Sequence, residues 1–275
     1  MQPLVGDGRE EREPRPRGAG ALPVLSVAAL SAVLFDLLHE AGHLAATALP
    51  LGVTALSIST IGVSSRGSSA VVAAAGPAAN LLFAFCLFGA FSRALSPAWR
   101  YFAWLFGTAN LFNATAYLIY SAASGTGDWA FVFDALARPV LWRPLVGVAG
   151  CGTYAAGILA SAGALRALCA AGIVAKSDVE RLCALSYVGG GLVLTAGAVF
   201  NPVSPWYILT SGAATGFGAM AGLMLLPARL GASSSSAGEG TPAESLDLGW
   251  PWVVAGLVAT VVFVGVFGPG VRLGR

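Results

Sequence analysis

Apolar residues run in long blocks along most of the chain, and polar residues gather in the breaks between them. The first block, Leu22 to Leu49, has 28 residues and is closed by Pro50. At 1.5 Å per helical residue it is long enough to cross a hydrocarbon core of about 30 Å with some tilt. Residues 51–69 change period: Val53, Ala55, Ser57 and Ser59 alternate between glycines, which predicts short strands or a hairpin. Such backbone must lie at the interface or under protein cover. A second span is expected from Ala70 to Phe91, and Ser96-Pro97 reads as an N-cap and first helical residue opening a third over 97–122. Residues 129–144, with two tryptophans, Asp134, Arg138 and Arg143, suit a short interfacial segment.

A fourth span is expected over Leu145–Ala171. A fifth starts at the capping-box pattern Ser177-Asp178-Val179-Glu180 and runs to Phe200. Asn201-Pro202 breaks it, and Ser204-Pro205 opens a sixth to Leu226. Gly231–Leu246 reads as a flexible Ser/Gly linker, and Trp250–Phe267 as a seventh, shorter span. The organisation expected is therefore an all-α polytopic membrane protein of about six to seven helices with a strand segment after the first. A solvated tail (1–20) precedes a core (21–135), further helices (136–230), a linker (231–248) and a C-terminal helix (249–275). No internal repeat is evident, which disfavours an inverted-repeat transporter.

Composition agrees: of 275 residues, 56% are hydrophobic and 10% charged, with mean hydropathy +0.77, against about 25% charged in soluble domains. The net charge of +2 is too small to argue for nucleic acid. The four cysteines, Cys86, Cys151, Cys169 and Cys183, are far apart and read as small buried hydrophobes. The first 20 residues mix acids, arginines and prolines, and the apolar stretch after them is too long for a signal peptide, so an uncleaved first span in the cell membrane is expected. With the N-terminus cytoplasmic, ten of the 15 basic residues fall inside, which favours N-in and C-out.

The chemistry lies in the first block. His39-Glu40-Ala41-Gly42-His43 uses both histidines of the chain. On a helix His39 and His43 are one turn apart on one face and reach a single metal ion, with Glu40 placed as general base for its water. An ionisable residue at mid-membrane costs roughly 2.5–3.5 kcal/mol on insertion scales, so function is the default reading of this motif. Catalytic zinc takes three protein ligands and an open position. With no third histidine, the remaining ligand is a carboxylate or a cysteine, and the acids near spans are Asp36, Asp128 and Asp134. Asp36 shares the face of the histidine pair and suits an outer role; Asp128, at the glycine-broken end of the third span, can turn back into the bundle; Asp134 reads as interfacial. Asn80, Asn110 and Asn113 either bind substrate backbone or hydrogen-bond between helices.

Three features together resemble the site-2 protease family of intramembrane zinc metalloproteases. They are the His39–His43 motif in a membrane helix, Gly76-Pro77-Ala78-Ala79-Asn80 in the next span, and an aspartate-glycine turn ending the third. The resemblance covers roughly residues 22–135. It implies that His39, His43 and Asp128 bind one zinc ion, that Glu40 activates water, and that the substrate is a membrane-embedded protein. It also implies a metal site opening toward the cytosol, whereas an N-in first helix carries the motif past mid-membrane toward the far face. The family's Asn-x-x-Pro and Asp-Gly appear here as Asn113 without proline and as Gly127-Asp128-Trp129. Two other readings are a membrane protease acting on substrates from the aqueous side, and a non-catalytic scaffold or transporter retaining the motif.

Overall fold

The structure, a computed structural model, describes residues 19–89, 95–134, 139–202, 204–230 and 246–274. The expected N-terminal tail and most of the linker lie outside the described residues.

The first apolar block forms α1 (Ala21–Ala46). Two strands follow, β1 (Thr54–Ser59) and β2 (Gly62–Arg66), paired antiparallel. Then come α2 (Ala70–Gly89), α3 (Pro97–Ser124), the short α4 (Asp128–Asp134), α5 (Pro139–Ala170) and, after a 3-10 turn, α6 (Val179–Val199). The sixth block is composite: α7 (Pro205–Tyr207), a π-helical stretch (Ile208–Gly218), a 3-10 stretch (Ala219–Leu225) and α8 (Leu226–Leu230). The chain ends in α9 (Trp250–Val262), a π-helical turn and β3 (Val271–Arg272), which pairs with β1 to give the sheet order β2-β1-β3.

Six of these helical runs are long and apolar enough to cross a membrane: Ala21–Ala46, Ala70–Gly89, Leu141–Ala170, Lys176–Val199, Thr210–Leu230 and Trp250–Phe267. They bear outward Leu82, Phe85, Leu145, Val148, Leu192 and Val261, an apolar coat that suits contact with lipid. The protein is thus a multi-pass membrane protein. α3 is longer than five of the six but more polar, and it sits where polarity is tolerable, packed between α1, α2 and α5. Tyr101, Trp104 and Phe112 on α3 are fully buried, with the Tyr101 hydroxyl on Ser186 and the Trp104 indole donating to the Ser161 carbonyl.

Cross-links fix the direction of the helices. Arg181 at the start of α6 donates to the Ala19 carbonyl, and Trp99 at the start of α3 packs on Trp252 at the start of α9. At the other end, Thr60 binds the Gly197 carbonyl through its hydroxyl and the Phe267 carbonyl through its N–H. α1, α3, α6 and α9 therefore run one way, and the connecting helices run back. The N-terminal end of α1 lies on one face; the sheet and the C-terminal end of α9 lie on the other.

Several boundaries differ from expectation. The interfacial segment 129–144 divides: α4 takes its first part, and α5, described from Pro139, already covers the six residues before the expected Leu145. The capping box at Ser177 does not form; Asp178 is the N-cap of α6 and makes no side-chain cap bond. Ser204 does cap as expected, accepting from the Trp206 N–H. Leu246 and Leu248, read as linker, are buried in the core. Of the cysteines, all free, only Cys183 is buried; Cys86 and Cys151 face outward. The irregular sixth block follows from its glycines, which let it lie on α6: a Cβ at Gly216 would stand 2.9 Å from the Gly191 Cα, and one at Gly212 would stand 2.6 Å from the Ala198 Cβ.

Candidate metal centre

His39, Glu40 and His43 lie in the last two turns of α1, buried, near the face that carries the sheet. α2 comes unusually close to this turn. A Cβ on Gly42 would stand 2.6 Å from the Ala75 carbonyl oxygen, and a Cβ on Gly76 would stand 2.4 Å from His43 Nε2. These two glycines let the helices meet with the imidazoles between them. Among the described residues, the metal-capable atoms of His39, Glu40 and His43 form a group within 4.8 Å of one another.

Asp128 arrives from the other side. Gly125 and Gly127, both with positive φ (67° and 86°), turn the chain sharply after α3, a conformation that side-chain-bearing residues rarely adopt. Asp128 then opens α4, its N–H donating to the Tyr117 hydroxyl oxygen. Its Oδ2 stands 3.0 Å from His39 Nε2 and 3.2 Å from His43 Nε2, while the two Nε2 atoms are 3.1 Å apart. Three ligand atoms from two distant segments make a nearly equilateral triangle.

The outer hydrogen bonds show what that triangle is suited to. Asn80 donates through Nδ2 to the Phe35 carbonyl and to Asn110 Oδ1, so its Oδ1 is an acceptor. His39 Nδ1 lies 2.7 Å from that oxygen and must donate to it; His43 Nδ1 donates to the Val72 carbonyl over 2.7 Å. With both Nδ1 atoms carrying protons, neutral imidazoles turn two bare Nε2 lone pairs toward each other and toward a carboxylate oxygen. Only a proton or a metal cation among the three relieves that repulsion. Burial pushes the Asp128 carboxyl up, but its hydrogen bonds and charge interactions with the His39 and His43 rings hold it below the usual carboxylate range. A divalent cation can replace that proton. His39, His43 and Asp128 would be its three protein ligands, the number that catalytic zinc takes. The residues present fit zinc.

Glu40 completes the arrangement. The Val63 backbone of β2 lies beside its carboxylate, while its buried Oε2 has no partner. All four residues line a cleft of about 570 Å³, with Ile61, Gly62, Val63 and Ser65 of the hairpin on one side and Trp206, Thr210, Ser211 and Thr215 on another.

The structure brings together His39, Glu40, His43 and Asp128. Of the two readings for Asn80 and Asn110, their placement suits hydrogen bonding between helices: both are fully buried behind His39, Asn80 accepting from its ring and donating to Asn110, and Asn110 donating to the Phe106 carbonyl. Asn113 donates to Asn80 Oδ1 at 3.3 Å and borders a side cavity rather than the cleft. Asp36 lies a turn before Glu40, outside the triangle, with one oxygen unpartnered. Asp134 pairs with Arg143 at 3.1 Å near the surface. Sequence reasoning missed the Val72 carbonyl, Tyr117 and the hydroxyls of the sixth block; Thr210, Ser211 and Thr215 in an apolar run were the only visible sign.

Replacing Asn80 with Ala is expected to lower zinc affinity about 10–100-fold, the usual effect of losing a histidine's outer partner. Competition against a chromophoric chelator measures it. Comparison with known proteins places no relative beside this site: no family model, no curated protein and no solved structure matches the chain.

Proposed function

We propose that this protein is an intramembrane zinc metalloendopeptidase, of the kind the site-2 protease resemblance implies, hydrolysing a peptide bond in a membrane-embedded protein. The observation that carries the reading is the convergence of His39, His43 and Asp128 within 3.0–3.2 Å, in the membrane bundle, beside a Glu40 whose Oε2 is unpartnered.

His39, His43 and Asp128 would hold the ion, and Asn80 and the Val72 carbonyl fix the ring orientations. Bound there, zinc supplies a polarising charge and makes a water acidic near neutral pH. Glu40 takes the proton from the attacking water and passes it to the departing amine. Its carboxylate lies in the cleft beside Val63, so the general base sits where the hairpin meets α1.

A helical substrate has its carbonyls occupied and must be unwound before attack. The hairpin offers a place for the extended form: β3 occupies the far edge of β1, leaving the outer edge of β2 unpaired among the described strands, and β2 residues line the cleft. An extended peptide added there gains backbone hydrogen bonds alongside Glu40.

The cleft and the start of α1 lie on opposite faces of the bundle. A cytoplasmic N-terminus therefore puts the cleft on the far side, and a cytosolic cleft needs the N-terminus outside. The arginine distribution supports the first arrangement.

Metal removal tests the reading. Purified protein in lipid vesicles, stripped with a zinc chelator, is expected to lose cleavage of an unfolded peptide and to regain it with zinc but not magnesium. Cleavage that survives complete metal removal overturns the assignment.

A further inference from the structure

Beside the metal cleft lies a second cavity of about 240 Å³, between α3, α5 and the π-helical stretch. Tyr117, Tyr120, Thr210 and Thr215 line both, so the two cavities adjoin and share part of their walls. The Tyr117 ring, one of the shared residues, stands 5.6 Å from the ring of His39. Behind it, the walls are Ala116, Ile119, Tyr154, Ala214, Gly218 and Ala219.

Most polar atoms around this cavity are already used. The Tyr154 hydroxyl donates to the Ala219 carbonyl and accepts from the Gly222 N–H, both at 2.7 Å, so Tyr154 offers only its ring. Asn113 donates to Asn80, and Thr210 to the Trp206 carbonyl. Among the described residues no charged side chain lines it. Apart from the Thr215 and Tyr117 hydroxyls, on the wall shared with the cleft, a polar side chain entering would find little to pair with, whereas an apolar one loses nothing. The volume exceeds the roughly 150 Å³ cavity that holds benzene.

We propose that this cavity is a side-chain subsite that receives a large apolar residue, aliphatic or aromatic, flanking the scissile bond. The inference rests on the protease reading. Its occupant is set by adjacency: a chain laid along β2 lies in the cleft whose opposite residues, Tyr117, Tyr120, Thr210 and Thr215, also line this cavity. Small residues on both walls, Ala116 and Gly218, keep the space open. A Cβ at Gly218 meets nothing within 4 Å, and its backbone is right-handed helical, so a larger residue fits there without backbone strain.

The test uses two series on the zinc-loaded full chain in lipid vesicles. Peptides vary from Ala to Leu and Phe on either side of the cleaved bond, and peptidyl hydroxamates carry a methyl, isobutyl or benzyl group. A hydrophobic pocket discriminates about 10–200-fold per methylene. The large groups are therefore expected to be favoured at least tenfold in kcat/KM and in hydroxamate Kd. Both Ala116→Phe and Gly218→Phe, filling the cavity from opposite walls, are expected to bring that ratio near one. A ratio near one in the parent protein, as a lipid acyl chain held in the cavity would give, overturns the subsite; so does a ratio unchanged in both variants. Cleavage without side-chain preference removes the subsite and keeps the protease reading. Selective hydroxamate binding without cleavage of any peptide does the reverse.

Discussion

Glu40→Gln is expected to abolish measurable peptide hydrolysis, lowering kcat by about 10²–10⁴-fold, the range lost with a general base, while zinc content stays at one ion per chain. Gln keeps the shape of the side chain, so the helix and hairpin should remain in place. What it cannot do is take a proton. Glu40 lines the cleft within 4.8 Å of the imidazole nitrogens and has one buried oxygen without a partner, the position of a base rather than of an anchored structural acid. Parallel assays of zinc content and peptide cleavage separate the two roles. Loss of zinc together with activity would make Glu40 a ligand, and full activity in the variant would end the protease assignment.

Asp128→Ala is expected to have the complementary effect. It removes one corner of the triangle and leaves two imidazoles whose Nδ1 atoms remain tied to Asn80 and Val72. Zinc affinity should fall by more than the 10–100-fold that outer partners contribute, and hydrolysis should fall with it at ordinary zinc concentrations. Zinc needs unprotonated Nε2 atoms and an ionised Asp128, so it competes with protons at these three atoms and affinity should rise with pH in the parent. Calorimetric titration with zinc measures both. Asp134→Ala is the control, since its carboxylate pairs with Arg143 near the surface and faces no imidazole.

The pattern of apolar blocks carried most of the architecture because burial in lipid is a composition effect that any long window reports. The motif in α1 was legible for a different reason: spacing on one helix is local, so His39 and His43 at four residues apart fix their own geometry. Asp128 was reached through the Gly127-Asp128 turn and the resemblance, since a contact between residues 89 apart leaves no local trace. The asparagines show the same limit more sharply. Asn80, Asn110 and Asn113 were visible as polar groups in apolar spans, but whether an amide faces substrate or a histidine depends on which helix lies behind it. The π-helical stretch escaped because glycine spacing in the sixth block states that helices approach, not how the backbone deforms when they do. Nothing in the sequence marked the side cavity, which is made of small residues on separate elements.

The most direct test of the central claim is anomalous scattering at the zinc edge from crystals of the zinc-loaded protein. The account requires a single strong peak about 2.0–2.2 Å from His39 Nε2, His43 Nε2 and an Asp128 oxygen, with Glu40 beside it and not bonded to it. No peak at that triangle, or a peak whose ligands leave out Asp128, would contradict it.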